Sequence, residues 1–244
     1  MIFINFEYLF IISLAGLYIY DSATVCFYNS IFILKGIRKK FDYQIPHSQF
    51  NFGKKFLIFL QILSPHILVF QTSWQYKTIH TKAIDIDINN IQKTAEILRK
   101  IQPIIIFLFV LMFIVMPILI LFKFKTLLII LTILSIYLIN IFLFIFILIN
   151  RKKLHLSKKL ILQILLDSLF CPPFALNLMK KISLNLSTTS DALALSKSLL
   201  NESRQKLLVN QVVSKIEILQ SQYDPQDNTY IALETKKNNL MNEK

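Results

Sequence analysis

Glycine is almost missing from this chain: 3 residues in 244. Loops that cradle phosphate need several glycines close together, so a nucleotide-binding loop is not expected. Close helix crossings of the small-xxx-small type are disfavoured for the same reason. Cysteine occurs twice, as Cys26 and Cys171, with no CxxC spacing, which rules out a disulfide framework. The four histidines (His47, His66, His80 and His155) form no i, i+4 pair of the kind zinc requires. No metal and no cofactor is therefore expected. Acidic residues are also few, 14 against 27 Lys and Arg, and the first 34 residues contain no cation at all.

What the chain has instead is long apolar sequence. Residues 104–122 carry no charged or hydrogen-bonding side chain. Residues 126–149 are interrupted only by Thr126, Thr132, Ser135, Tyr137 and Asn140, and Lys123-Phe124-Lys125 parts the two runs. At about 1.5 Å per residue each run reaches the roughly 30 Å of a bilayer's hydrocarbon core. In lipid, a helix is the form in which such a run satisfies its own backbone. Pro103 suits the mouth of the first run, and Pro117 predicts a kink inside it. The N-terminal 34 residues lack the cationic start of a secretory signal and read as an uncleaved anchor.

The net charge of +13 raises the question of nucleic acid, but position answers it. Cations crowd the ends of the apolar segments, at Lys35 to Lys40, Arg99-Lys100 and Arg151-Lys152-Lys153. That is the positive-inside pattern, suited to anionic headgroups. With three spans and the N-terminus outside, 25 of the 27 cations lie inside and 2 lie on the outer turn. The expected localisation is the cytoplasmic (inner) membrane of a bacterium with an AT-rich genome, with the C-terminus cytoplasmic and nucleic acid not a partner.

Between the spans, residues 56–71 are apolar but short and broken by Pro65. They read as an in-plane or re-entrant segment in preference to a fourth span. Ile84, Ile86 and Ile88 alternate with Asp85 and Asp87, as a half-buried strand does, and Trp74, Tyr76 and Thr78 supply a candidate hairpin partner. Ile91, Ala95, Ile97, Leu98 and Ile101 then follow helical spacing into the span. Residues 154–170 read as an amphipathic helix lying at the cytoplasmic headgroups, ended by Pro172-Pro173. Thr188 to Asp191 looks like a helix start, with Asp191 as the acidic partner of a capping box. Leu208, Val212, Ile216 and Leu219 form a stripe that needs a partner, either the 154–186 region or another chain. After Tyr223 the composition predicts disorder.

Five residues stand out as functional candidates. Asp21 is either interfacial or protein-facing, the preferred reading, or an intramembrane carboxylate. Asp85 and Asp87 would share a strand face about 7 Å apart, either as a solvated edge or as a cation or acid–base site. Asn140, with Thr132 and Ser135, offers either interhelical hydrogen bonds or a polar path. Cys171, before Pro172-Pro173, is either a packed thiol in a turn or a thiol open to acylation. No serine stands in a nucleophile elbow. The sequons at Asn185 and Asn201 fall on the cytoplasmic side and are discounted.

The expected fold is an all-α integral membrane protein with about three transmembrane helices, cytoplasmic amphipathic helices and room for one small β-hairpin. Its regions are an anchor (1–34), a cytoplasmic or interfacial segment (35–102), a transmembrane hairpin (103–150), a cytoplasmic helical region (151–222) and a disordered tail (223–244). The expected function is a non-enzymatic membrane scaffold or assembly subunit, meeting a protein partner or its own copy through the cytoplasmic helices. Two alternatives stand beside it. One is an oligomeric transporter or channel component using Asp21 and Asn140. The other is a membrane-bound enzyme with Asp85, Asp87 or His80 at its surface.

Overall fold

The structure, a computed structural model, describes residues 6–37, 40–46, 51–52, 55–75, 81–186, 188 and 190–242. Of the described residues 67% are helical, so the helical class holds, but the chain is not all-α. Helix α1 (Phe6–Ser22) is followed by six strands: β1 (Ala23–Phe27), β2 (Ser30–Lys35), β3 (Asp42–Gln44), β4 (Asn51–Phe52), β5 (Lys55–Phe59) and β6 (Leu68–Ser73). They form two antiparallel three-stranded sheets, in the orders β1-β5-β4 and β3-β2-β6. Residues 1–34 are therefore not one anchor: the helix stops at Ser22, whose hydroxyl donates back to the Tyr18 carbonyl. Ser30 turns the chain between β1 and β2 by accepting the Phe27 N–H at 3.1 Å.

The first sheet packs Cys26 and Ile58 against Phe32, Leu34 and Val69 of the second. The second sheet's other face, with Ile33 and Phe70, meets helices. A strand buried on both sides needs apolar residues without alternation, and Ile31 to Leu34 reads that way. The segment 56–71 is likewise not an in-plane helix or a re-entrant loop. It is β5, a turn through Gln61 (φ 51°) and Pro65, and β6.

Helix α2 (Thr81–Arg99) occupies the region read as a strand, and no hairpin forms there among the described residues. Trp74 lies just past β6, buried and edge-on to Tyr28, while Tyr76, Thr78 and His80 lie outside the described residues. Ile91, Ala95, Leu98 and Ile101 are buried in the main core, as their spacing predicts, and the chain continues into α3 (Gln102–Val110). A π-helical turn, Leu111–Val115, joins α3 to α4 (Met116–Leu121). Pro117 explains it: the ring has no N–H to give and crowds the preceding turn, and the Met116 N–H reaches back five residues to the Leu111 carbonyl. Helix α5 (Thr126–Asn150) returns alongside.

Helix α1 runs antiparallel to α3–α4. Tyr18 packs against Phe109 and Phe113 with centroids 6.2 and 5.3 Å away, and Phe10, Leu14 and Leu17 face Met112 and Met116. By length and composition, Gln102–Leu121 and Thr126–Asn150 are the two stretches fit to cross a membrane among the described residues; α1 has 17 described residues.

Helix α5 ends in a reverse turn at His155 (φ 52°). Its N–H bonds the Lys152 carbonyl, and the Leu156 N–H bonds Arg151, the paired bonds of a Schellman motif. The turn sends α6 (Lys158–Phe170) back along α5 rather than across its end. Ile164, Leu165 and Ser168 face Tyr137, Asn140 and Ile147. A 3-10 turn, Pro172–Asn177, then leads to α7 (Leu178–Leu184), which packs on β6; there the Ser183 hydroxyl accepts the Val69 N–H at 2.9 Å.

Helix α8 (Ala192–Leu199) starts where expected, but Asp191 is itself the N-cap, accepting the Leu193 N–H. Helix α9 (Glu202–Gln220) buries Leu208, Val212 and Ile216 beside Trp74, Ile31 and Leu233. The stripe thus packs within the chain, but on Ile31, Trp74 and Leu233 and not on the 154–186 region. Leu233 belongs to α10 (Asn228–Asn242), a helix where the composition predicts disorder. Its few apolar residues suffice because ion pairs assist them: Lys236 with Asp191 at 2.8 Å and Lys237 with Glu217 at 3.2 Å. Hydrogen exchange should therefore show protected amides across 230–240. Leu233→Ala should remove that protection, at a cost of about 2–5 kcal/mol. Unprotected amides in the unsubstituted chain would return the tail to disorder.

Candidate functional site at the proline turn

Three apolar elements bring ionisable groups together where α6 turns into α7. The last turn of α1 supplies Tyr18, Asp21 and Ser22, the last turn of α6 supplies Asp167, and the return limb supplies Asn177, Lys180 and Lys181. Lys181 Nζ lies between two carboxylates, 2.8 Å from Asp21 Oδ1 and 3.3 Å from Asp167 Oδ2. Asn177 Nδ2 donates to Asp21 Oδ2 at 2.9 Å, so both oxygens of Asp21 are engaged. Ser22 Oγ donates to Asn177 Oδ1 at 3.1 Å. Lys180 is 4% exposed, with Nζ 3.5 Å from the Ser22 carbonyl, where the negative end of the α1 dipole favours a cation.

This is a clamp between α1 and the hairpin that α6 and α7 form around the proline turn. The Asp21 and Lys181 side chains are 12% and 23% exposed, so little water competes for them. Leaving one partner alone there costs more than forming the pair gains. Asp21 faces other elements of the chain in this arrangement.

Cys171 ends α6 beside the clamp and lines an apolar cavity of about 320 Å³ with Leu14, Leu17, Met116 and Ile136. The Phe174 N–H donates to its carbonyl. Asn140 lies on the other side of the hairpin. Its Nδ2 donates to the Ser168 carbonyl at 3.4 Å, and its Oδ1 has no partner among the described residues. Thr132 and Ser135 do not bridge helices, because each hydroxyl donates to the carbonyl four residues back in α5. Asp21 and Asn140 thus hold one hairpin from two sides.

Asp85 and Asp87 do not form a pair. Two residues apart on a helix they point to different faces: Asp85 is exposed, and Asp87 is buried, accepting the Ser190 N–H and Oγ–H at 2.9 and 2.7 Å. Among the described residues no group of three or more His, Cys, Asp or Glu is placed to hold a metal. His47 and His80 lie outside the described residues.

The residues missed in the sequence were Lys181, Asn177 and Asp167. The one signal was Lys180-Lys181 inside an otherwise apolar stretch after the prolines. Comparison with protein families, curated proteins and solved structures returned no match to this chain.

If the clamp ties α1 to the α6–α7 hairpin, Asp21→Ala and Lys181→Ala should each lower the stability of the purified protein, by roughly 3 kcal/mol at most. The double variant should lose less than the two together, with a coupling of about 1 kcal/mol or more. Strictly additive losses would contradict a direct interaction.

Proposed function

We propose that this chain is an integral membrane protein that acts as a non-enzymatic scaffold or assembly subunit, with α1, α3–α4 and α5 as its spans. The observation that carries the reading is the exposure of α5. Leu127, Ile130, Leu134, Leu138, Phe142 and Ile149 are each more than half exposed, along a helix of about 37 Å. A buried core helix of a water-soluble protein has the same composition but is mostly covered. Here the most apolar windows of α3–α4 and α5 are only 22% and 17% buried. Neither window is N-terminal, as a signal sequence would be. An apolar surface of this length exceeds what a soluble monomer leaves to water.

In this placement the N-terminus and the Lys123–Lys125 turn share the outer side. The sheets and α8–α10 lie on the cytoplasmic side with most of the cations. Helix α6 lies alongside the middle of α5, so the hairpin dips into the inner half of the bilayer instead of resting at the headgroups. Its exposed Leu162, Leu166, Leu169 and Phe170 suit that depth, with Lys158 and Lys159 at its base. The scaffold reading is favoured over a transport path because Asp21, Asn140 and Asp87 already serve as internal ties. An assembly subunit needs such rigidity to present its cytoplasmic unit at a fixed height above the lipid.

Three measurements test this. The chain should stay in the pellet after alkaline carbonate extraction, and a cysteine at Phe124 should react with an impermeant thiol reagent from outside. In mild detergent it should migrate as a homo-oligomer or a defined complex. Release into the supernatant would refute the membrane placement. A clean monomer without partner would refute the scaffold.

A further inference from the structure

The turn between β5 and β6 holds an apolar side chain outward. Ile62 and Leu63 take the two central positions of the Gln61–Ser64 turn, where polar residues are the usual choice. Ile62 packs against the main core, whereas Leu63 is 85% exposed. The strands leading away from the turn continue the pattern. Cys26 and Ile58 face the second sheet, so by alternation Val25, Phe27 and Phe59 take the opposite face, and all three are exposed. Lys55, opposite Phe27 in the register, is exposed at the far end. One surface of the first sheet thus runs from leucine at the turn to lysine at the start of β5.

The backbone of this turn has its hydrogen bonds inside the protein. The Gln61 and Ser64 carbonyls accept the Ser64 and Ile67 N–H groups, each at 3.0 Å. Two more carbonyls are tied to the apolar helices: Tyr18 Oη donates to Ile62 O at 2.6 Å, and Gln102 Nε2 donates to His66 O at 2.9 Å. Tyr18 lies against Phe109, which is about 10 Å beyond Gln102 along α3. The turn therefore sits alongside the first turns of α3. A turn in water can leave its carbonyls to the solvent, but one in lipid must satisfy them within the protein.

We propose that the first sheet docks onto the inner leaflet of the bilayer, turn first, with Leu63 among the acyl chains, Val25 and Phe59 nearer the headgroups and Lys55 at the phosphates. The inference rests on the membrane placement above and adds a lipid contact to a sheet that is otherwise cytoplasmic. Lipid suits both ends of this surface: it offers hydrocarbon beside the spans and anionic phosphate farther from them. A second copy of the chain stacked on the same face would set lysine against lysine or against the apolar end.

A bimane fluorophore at Leu63→Cys, Val25→Cys or Lys55→Cys tests the order, in the full chain with Cys26→Ala and Cys171→Ala, reconstituted into liposomes. The three labelled side chains are exposed, so each variant should keep the melting temperature of the background. Quenching by lipid with a nitroxide on its acyl chain should be several-fold stronger at Leu63 than at Lys55, with Val25 between them. Quenching by iodide in the water on both sides should follow the reverse order. Free access of iodide to Leu63 overturns the proposal. So does shielding of Leu63 from both quenchers, which means that a second copy or another protein covers the face. The same label at Leu138 keeps this inference apart from its foundation. Lipid quenching at Leu138 with iodide quenching at Leu63 retains the spans and removes the docked sheet; iodide access at Leu138 removes the membrane placement and the docked sheet with it.

Discussion

The long exposed apolar face of helix α5 is the feature on which the proposed architecture depends. The helix's buried side, with Ile136, Asn140, Leu143 and Ile147, takes α6 and the proline turn. The opposite side is leucine, isoleucine and phenylalanine along most of its length and is left largely uncovered among the described residues. Burying apolar surface is worth roughly 25 cal/mol per Å², so a helix left half uncovered needs lipid or another chain. The proposed bilayer supplies that cover without any further contact from the protein.

Once α5 is placed in lipid, the polar groups beside it fall under a stricter rule. A carboxylate or ammonium at that depth must find its partner within the protein. Asp21, Asp167, Lys181 and Asn177 do so reciprocally, and the arrangement holds three separate elements at one height. The clamp also explains why α1 can stop at Ser22 and give way to a strand: its last turn is fixed by Asn177 and Lys180 rather than by a longer helix. At the far end of the molecule Asp191 plays a comparable part. It caps α8, bridges to Ser73 and pairs with Lys236 of α10.

The long apolar helices were legible because nothing else produces a run like 104–122, and the helix leading into it was legible from its spacing. The sheets were not. A strand buried on both faces, such as β2, has the same featureless apolar composition as part of a span, and it follows α1 without a break in hydropathy. The region around Asp85 misled for a different reason. Ile84, Ile88 and Ile91 already form a helical stripe, and Ile86, 62% exposed, supplies a false alternation. Helix α10 was hidden because two leucines seven apart, Leu233 and Leu240, carry its buried face. The clamp joins positions more than 150 residues apart, which no local pattern announces; Asp21 alone was visible, as a charge in apolar surroundings.

The most direct measurement is the collisional accessibility of a nitroxide attached at Leu138→Cys, on the exposed face of α5, in a Cys26→Ala, Cys171→Ala background reconstituted into liposomes. Frequent collisions with oxygen and few with a water-soluble nickel chelate are the expected result, since oxygen concentrates in hydrocarbon and the chelate does not. Ready access by the nickel chelate would put that face in water and contradict the account.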